Sequence, residues 1–325
     1  MTLPVRSFLL TLISLAFVVL APAHAQAAVT IGIGDQKAEM WQDPRLKSLG
    51  LKHARLVVAY DRILRKDFTF YDAWIGAAQV RGVDVVVAFN HSSRSHKALP
   101  SVAQYRRVIR NFRARYPHVR TMTTWNEANH LTQPTFRNPK RAAQYYNALR
   151  QECSGCKIVA ADVLDQSNMV PWLKTFKRYA VRPKVWGLHN YKDANRKRPF
   201  RNSGTAQFLR TVKGEVWLTE TGGIVRFAKG TTFRGGVAAE KAAARATART
   251  FALANMSSRI KRVYLYQWSA DPRFINWDSG LVDSVGRARP ALHVLRAQVN
   301  RQRRSRGLPA VPPLAAKLGV RLPLF

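Results

Sequence analysis

The chain has 325 residues, with 54 Lys and Arg against 18 Asp and Glu, a formal charge of +36. Hydrophobic residues make up 46% and charged residues 22%, a balance that suits a large buried core and excludes a chain disordered throughout. The 18 Gly and 16 Pro follow no period, and two Cys are too few for a disulfide-built scaffold or a multi-cysteine zinc module.

Residues 1–25 read as a signal peptide. Arg6 is followed by an apolar run over 8–20, Pro22 breaks any helix, and Ala23-His24-Ala25 has the small-x-small form of a cleavage site. Ala25-Gln26-Ala27 is an equally small alternative site. The run falls short of the ~20 residues of a bilayer span, so an uncleaved anchor is the lesser reading. The expectation is a secreted, extracytoplasmic protein with no later membrane span. Losing Arg6 with the signal lowers the charge from +36 to +35. A surplus of this size suits phosphate in a cytoplasmic protein, but export argues against nucleic acid. Two readings of it stay open: a solvated basic surface, or association with an anionic cell wall or acidic polysaccharide.

From residue 26 onward, eight short β-rich runs recur at 29–34, 54–60, 83–89, 119–125, 157–161, 185–189, 215–219 and 262–268. Each is nearly continuous in apolar or β-branched residues, as strands covered on both faces are. Helical periodicity fills the gaps, for example Val102, Tyr105, Val108, Ile109 and Phe112 after a Ser101 cap. The Ala-rich stretch 238–253 is the longest expected helix. Cys153 and Cys156 flank Ser154-Gly155 between a helix and a strand, and outside the cytoplasm a structural disulfide is the favoured reading. Eight strand–helix units predict an α/β fold, a single-domain (β/α)8 TIM barrel over residues 26–302. An open doubly wound sheet is the alternative, but Lys37 stands where its nucleotide fingerprint needs a third Gly. Residues 303–325, Arg-rich and then Pro-rich, read as a C-terminal tail.

In such a barrel the chemistry lies at the carboxyl ends of the strands. There the sequence places Arg55, Asn90-His91, Trp125-Asn126-Glu127, His189-Asn190-Tyr191, Thr219-Glu220 and Gln267-Trp268. The chain has only six Glu, and two of them, Glu127 and Glu220, end apolar strands, where an ionised carboxylate is costly unless partnered or used. Two carboxylates across a barrel mouth suit glycoside hydrolysis: one protonates the leaving oxygen and the other attacks the sugar carbon. Arg55 and Tyr191 are candidates to keep one of them charged. Trp186 and Trp217 read as core, and Asp61, Asp162 and Asp165 suit the cleft and loop capping equally well.

These residues resemble glycoside hydrolase clan A, the retaining group that includes cellulase-like and xylosidase-like enzymes. The clan carries Asn-Glu after the fourth strand and a second Glu after the seventh, as Asn126-Glu127 and Glu220 stand here. The resemblance implies Glu127 as acid/base and Glu220 as nucleophile. It further implies Asn126 on the sugar 2-hydroxyl, Tyr191 bonded to the nucleophile, Arg55 supporting it and Trp268 as a sugar platform. His91 and His189 resemble substrate-contacting histidines of some members. The segment Gly280-Leu281-Val282-Asp283, then Arg289-Pro290-Ala291-Leu292, is similar to the clan's passage into its last helix, whereas Ala128 departs from the Pro that many members have there.

The function expected is a secreted retaining glycosidase acting on a β-linked polysaccharide or oligosaccharide, needing no metal or organic cofactor. A transglycosylase would use the same residues. A non-catalytic carbohydrate- or cell-envelope-binding barrel is the alternative from another class. The basic stretch 192–204 suggests a cleft wall facing an acidic sugar.

Overall fold

The computed structural model describes residues 28–227, 233–273 and 276–313. The signal peptide expected at 1–25 and the end of the tail lie outside the described residues. Eight parallel strands close a barrel: β1 (Thr30–Gly34), β2 (His53–Ala59), β3 (Asp84–Asn90), β4 (Thr121–Thr123), β5 (Lys157–Leu164), β6 (Val185–His189), β7 (Glu215–Thr221) and β9 (Ile260–Tyr266). β9 pairs with both β7 and β1, which closes the ring. The single-domain (β/α)8 architecture is therefore the one the eight apolar runs predict. A two-stranded ribbon, β8 (Arg226–Phe227) against β10 (Trp277–Asp278), stands outside the barrel sheet.

Helices cover the outside because their apolar stripes pack against the strands' outer faces. In the helix Val102–Arg115 the stripe Tyr105, Val108, Ile109 and Phe112 is fully buried, and Ser101 with Gln104 forms a capping box at its start. The helix Gly236–Ala254, at 19 residues, is the longest described. Cys153 and Cys156 are joined as a disulfide in the turn before β5. After the helix Pro290–Arg304 the chain folds back: Val311 is buried, and its N–H donates to Asn300 Oδ1 at 2.7 Å. No helix among the described residues is long and apolar enough to cross a membrane.

Inside the barrel, the residues divide into two levels. Low in the strands, Val86, Val159, Val185, Trp217 and Tyr264 form an apolar plug. Gly32 makes room for it, since a Cβ there would lie 2.4 Å from the Tyr264 ring. Trp186 and Trp217 are both core, as their apolar runs predict. Toward the carboxyl ends the filling turns polar, with Arg55, Thr123, Asp162, His189 and Thr219 all buried. The plug thus sets a floor, and the polar groups above it are out of bulk water yet open toward one mouth.

Two of the strands that differ from the expected runs, β4 and β5, shape the site. β4 keeps only three ladder residues, because the chain turns out after Thr123 to build the Glu127 loop. β5 runs on to Leu164 through a bulge, with Ala161 and Asp162 both in the left-handed region at φ 69° and 61°. The bulge re-aims Asp162 into the barrel.

Candidate active site

Arg55 organises the polar level. Its Nη1 donates to Glu220 Oε2 at 2.6 Å, and its Nη2 donates to Asp162 Oδ2 at 2.8 Å and Asn126 Oδ1 at 2.7 Å. Burial works against its charge, but Asp162 and Glu220 more than offset that and hold the guanidinium above its ordinary range. A buried Arg on an apolar strand is accounted for by its two carboxylate partners.

Glu220 is the penultimate residue of β7, and its second oxygen accepts from Tyr191 OH at 3.0 Å. Glu127 sits in the turn after β4 with φ 48°, a left-handed conformation rare for a non-glycine residue. Neighbouring strands pin that turn: Asn126 N–H donates to Phe89 O at 2.7 Å and Ala128 N–H to Asp162 O at 3.2 Å. The loop is thereby held with Glu127 facing across the mouth. His189 ends β6 and its Nδ1 lies 3.2 Å from Glu127 Oε1. One ligand-type atom each from Glu127, His189 and Glu220 lie within 4.8 Å of one another.

The two glutamates have different charged neighbours. Glu220 is neutralised by Arg55 at 2.6 Å, whereas the neighbour of Glu127 is His189. Burial alone would lower the His189 pKa, but Asp162 and Glu220 raise it to about 9. For Glu127, burial raises the pKa, yet the hydrogen bond and charge of His189 outweigh it, and the carboxyl lies below its ordinary value. Burial and the Glu220 charge push the Tyr191 phenol well up, so it stays a donor.

The mouth opens into a cleft of about 920 Å³, lined among others by Asn126, Glu127, Tyr191, Glu220, Tyr266 and Trp277. Arg55, Asn126, Glu127, His189, Tyr191 and Glu220 are thus brought together. His91 and Trp268 are not. His91 lies tilted against His96 at 4.0 Å between ring centroids and does not line the cleft, whereas its neighbour Asn90 does. Trp268 is 1% exposed and its Nε1 donates to Asp43 Oδ2 at 3.0 Å, so it is not a cleft platform. The reason is local: beyond Tyr266 the chain leaves the ladder, and Gln267 and Trp268 accept backbone bonds from Leu281 and Val282 instead.

Trp277 supplies the indole in the cleft. It meets Tyr191 edge-on at 5.0 Å and Phe227 at 5.5 Å, carried by the β8–β10 ribbon. Periodicity carries no signal for it, since a two-residue strand has none. Asp162 had a signal, a carboxylate at a strand end, but capping accounts for such residues equally well. Of the basic stretch 192–204, Lys192 and Arg196 line the cleft.

The cluster of Glu127, His189 and Glu220 is the one group among the described residues with metal-ligand spacing. Arg55 and the His189 imidazolium already supply positive charge to both carboxylates, so the donor set does not fit a cation.

Residues 81–294 match the sequence model of the glycosyl hydrolase catalytic core family, and the chain belongs to that family. It is a glycosidase, and its barrel is that of clan A. Among solved structures, it is similar to a monomeric β-xylosidase from Caulobacter crescentus CB15, at 13% identity and TM-score 0.59, over 82% of this chain and 67% of that one. The GH39 enzyme from Xanthomonas axonopodis pv. citri gives 14% identity and TM-score 0.61 over 89% and 68%. Xylanase 10B from Thermotoga maritima gives 11% identity and TM-score 0.60 over 85% and 96%. No curated protein matches the chain.

Proposed function

We propose that this glycosidase is a retaining enzyme acting outside the cytoplasm on a β-linked polysaccharide or oligosaccharide. Glu220 is the nucleophile and Glu127 the acid/base. The observation that carries this reading is the spacing: an oxygen of each glutamate lies within 4.8 Å of the other's. Retention needs carboxyl groups about 5–5.5 Å apart, whereas inversion needs about 6.5–9.5 Å to admit a water. The Arg55 and Tyr191 contacts fit a nucleophile at Glu220. Glu220, bonded by Arg55 Nη1 and Tyr191 OH, attacks the anomeric carbon as Glu127 delivers a proton to the departing oxygen. Glu127 then takes a proton from the water that releases the glycosyl-enzyme. Asn126 precedes Glu127, accepts from Arg55 and lines the cleft, suited to bind the sugar 2-hydroxyl, and Trp277 and Tyr266 offer ring faces.

The β-linkage is supported by the xylosidase and xylanase folds named above. Action outside the cytoplasm is supported by the apolar N-terminal run and by the Cys153–Cys156 disulfide.

The test is product release from a panel of β-xylans, β-mannans, β-glucans and acidic polysaccharides, with proton NMR following the anomer first formed. Retained configuration that vanishes in Glu220→Gln supports the reading. Inverted product, or turnover that survives in Glu220→Gln, overturns it. Sugar binding without turnover in both proteins supports a binding barrel instead.

A further inference from the structure

Asp162 has a place in the site that neither the family match nor the two-glutamate reading gives it. Its side chain is fully buried and touches four strands. Oδ2 accepts from Arg55 Nη2 at 2.8 Å and from Thr123 Oγ1 at 3.1 Å. Oδ1 accepts from Thr219 Oγ1 and lies 3.4 Å from His189 Nε2. The backbone is shaped to put it there: a bulge in β5 carries two successive non-glycine residues in the left-handed region. Such conformations are unfavourable for non-glycine residues and persist only when their surroundings hold them. On β6, Gly187 leaves the space, since a Cβ there would lie 2.5 Å from Asp162 Oδ1.

Hydrogen counting then decides which ring nitrogen of His189 carries a proton. Arg55 Nη2 has two hydrogens, and Asp162 Oδ2 and Asn126 Oδ1 take both. Its 3.3 Å approach to His189 Nε2 therefore has no hydrogen to offer. Nε2 faces the Asp162 carboxylate and must itself carry the hydrogen. That leaves Nδ1, 3.2 Å from Glu127 Oε1, as the nitrogen that exchanges a proton with the acid/base. The charged groups facing the ring are Asp162 from β5, Glu220 from β7, Arg55 from β2 and Glu127 from the loop after β4.

We propose that Asp162 is a positioning residue: it fixes the Nε2–H form of His189, so that His189 Nδ1 and Glu127 share one proton across the mouth. This rests on the assignment of Glu127 as acid/base. The balance is simple. The shared proton leaves through Glu127 to the departing glycosidic oxygen, and the water that attacks the glycosyl-enzyme returns one to the same pair. His189 gains and loses no net proton over the cycle. The elevated His189 pKa agrees with this, since the carboxylate behind Nε2 favours the imidazolium.

The experiment is 15N NMR of the histidine rings against pH in wild type, Asp162→Asn and Glu127→Gln. The His189 signals are those that Glu127→Gln shifts most. Asn accepts left-handed backbone readily, so Asp162→Asn keeps the bulge. In wild type the His189 imidazolium should persist beyond the ordinary value of ~6.5, and the proton retained after titration should be on Nε2. Asp162→Asn should lower its titration by about one to two pH units. The basic limb of kcat/KM on the polysaccharide cleaved in the panel should move down with it. A neutral ring carrying Nδ1–H, or a titration unmoved by Asp162→Asn, overturns the proposal. If Asp162→Asn does not fold, the wild-type tautomer alone decides. The two NMR readouts need no turnover, so they fail separately from the glycosidase assignments, which Glu220→Gln tests.

Discussion

Arg55 is the residue on which the site's electrostatics turn. Its guanidinium is 2% exposed and divides its donors between Glu220 and Asp162. Removing it takes the buried cation from between two carboxylates, and breaking a buried pair in this way costs about 3–5 kcal/mol. Arg55→Met should therefore lower Tm by on the order of 10 °C as well as abolish turnover, read by calorimetry and product release. Arg55→Lys keeps a charge but cannot span both acids, so its loss of stability should be smaller than its loss of activity. At Glu127 the expected signature depends on the leaving group. Glu127→Gln should cost about 10²–10⁴-fold in kcat/KM where a sugar departs, because the leaving oxygen then needs a proton. With a phenolate of low pKa departing, the loss should be much smaller. Equal losses on both substrates would remove Glu127 from the acid role.

At the scale of elements, β5 and β6 fit together as one device. The β5 bulge turns Asp162 inward, and Gly187 on β6 is the gap that receives it. Gly187→Ala would set a methyl 2.5 Å from Asp162 Oδ1 and 2.9 Å from Thr219 Oγ1, so the carboxylate must shift. Overpacking of this kind costs about 1–3 kcal/mol. The expected outcome is a folded protein with a modest fall in Tm and a much larger fall in kcat. A full loss of structure would show the packing to be less tolerant than this. The strands themselves are legible in the sequence, because parallel strands buried on both faces read as unbroken apolar runs. The bulge is not, since Ala161-Asp162 carries no glycine to announce a left-handed turn. The aromatic lining is only partly legible. Tyr266 and Trp268 both stand at one strand end, and which faces the cleft depends on where the ladder stops.

Across the whole molecule, the buried charges give stability a pH window. His189 holds its proton more tightly in the folded state, at about 9, than in an unfolded chain at ~6.5. That contribution, of the order of 3 kcal/mol, is complete below about pH 6 and is lost as pH rises toward 9. Asp162 behaves oppositely. Burial opposes its charge, but Arg55 and His189 hold its pKa far below the ordinary value, so its contribution is complete above pH ~4 and is lost in acid. Denaturant unfolding should be most resistant between about pH 4.5 and 6, and the alkaline decline should flatten in His189→Gln. The charge of +36 acts at longer range. The protein should be retained on an acidic polysaccharide at low salt and released near 1 M, where the Debye length falls to about 3 Å.

The sequence by itself determined the architecture and the carboxylate pair. Period and apolar continuity encode a barrel strand locally, and a scarce Glu at the end of such a strand marks a costly charge that must have a use. Arg55, Asn126, Glu127, His189, Tyr191 and Glu220 could be picked out on that ground or by resemblance to clan A. Tertiary structure alone decided the rest: Asp162 behind His189, Trp277 in place of Trp268 at the cleft, and His91 away from it. Those placements depend on strand register, a bulge and a ribbon between two loops. Contacts of that kind join residues far apart in the chain, and no local pattern of residues encodes them.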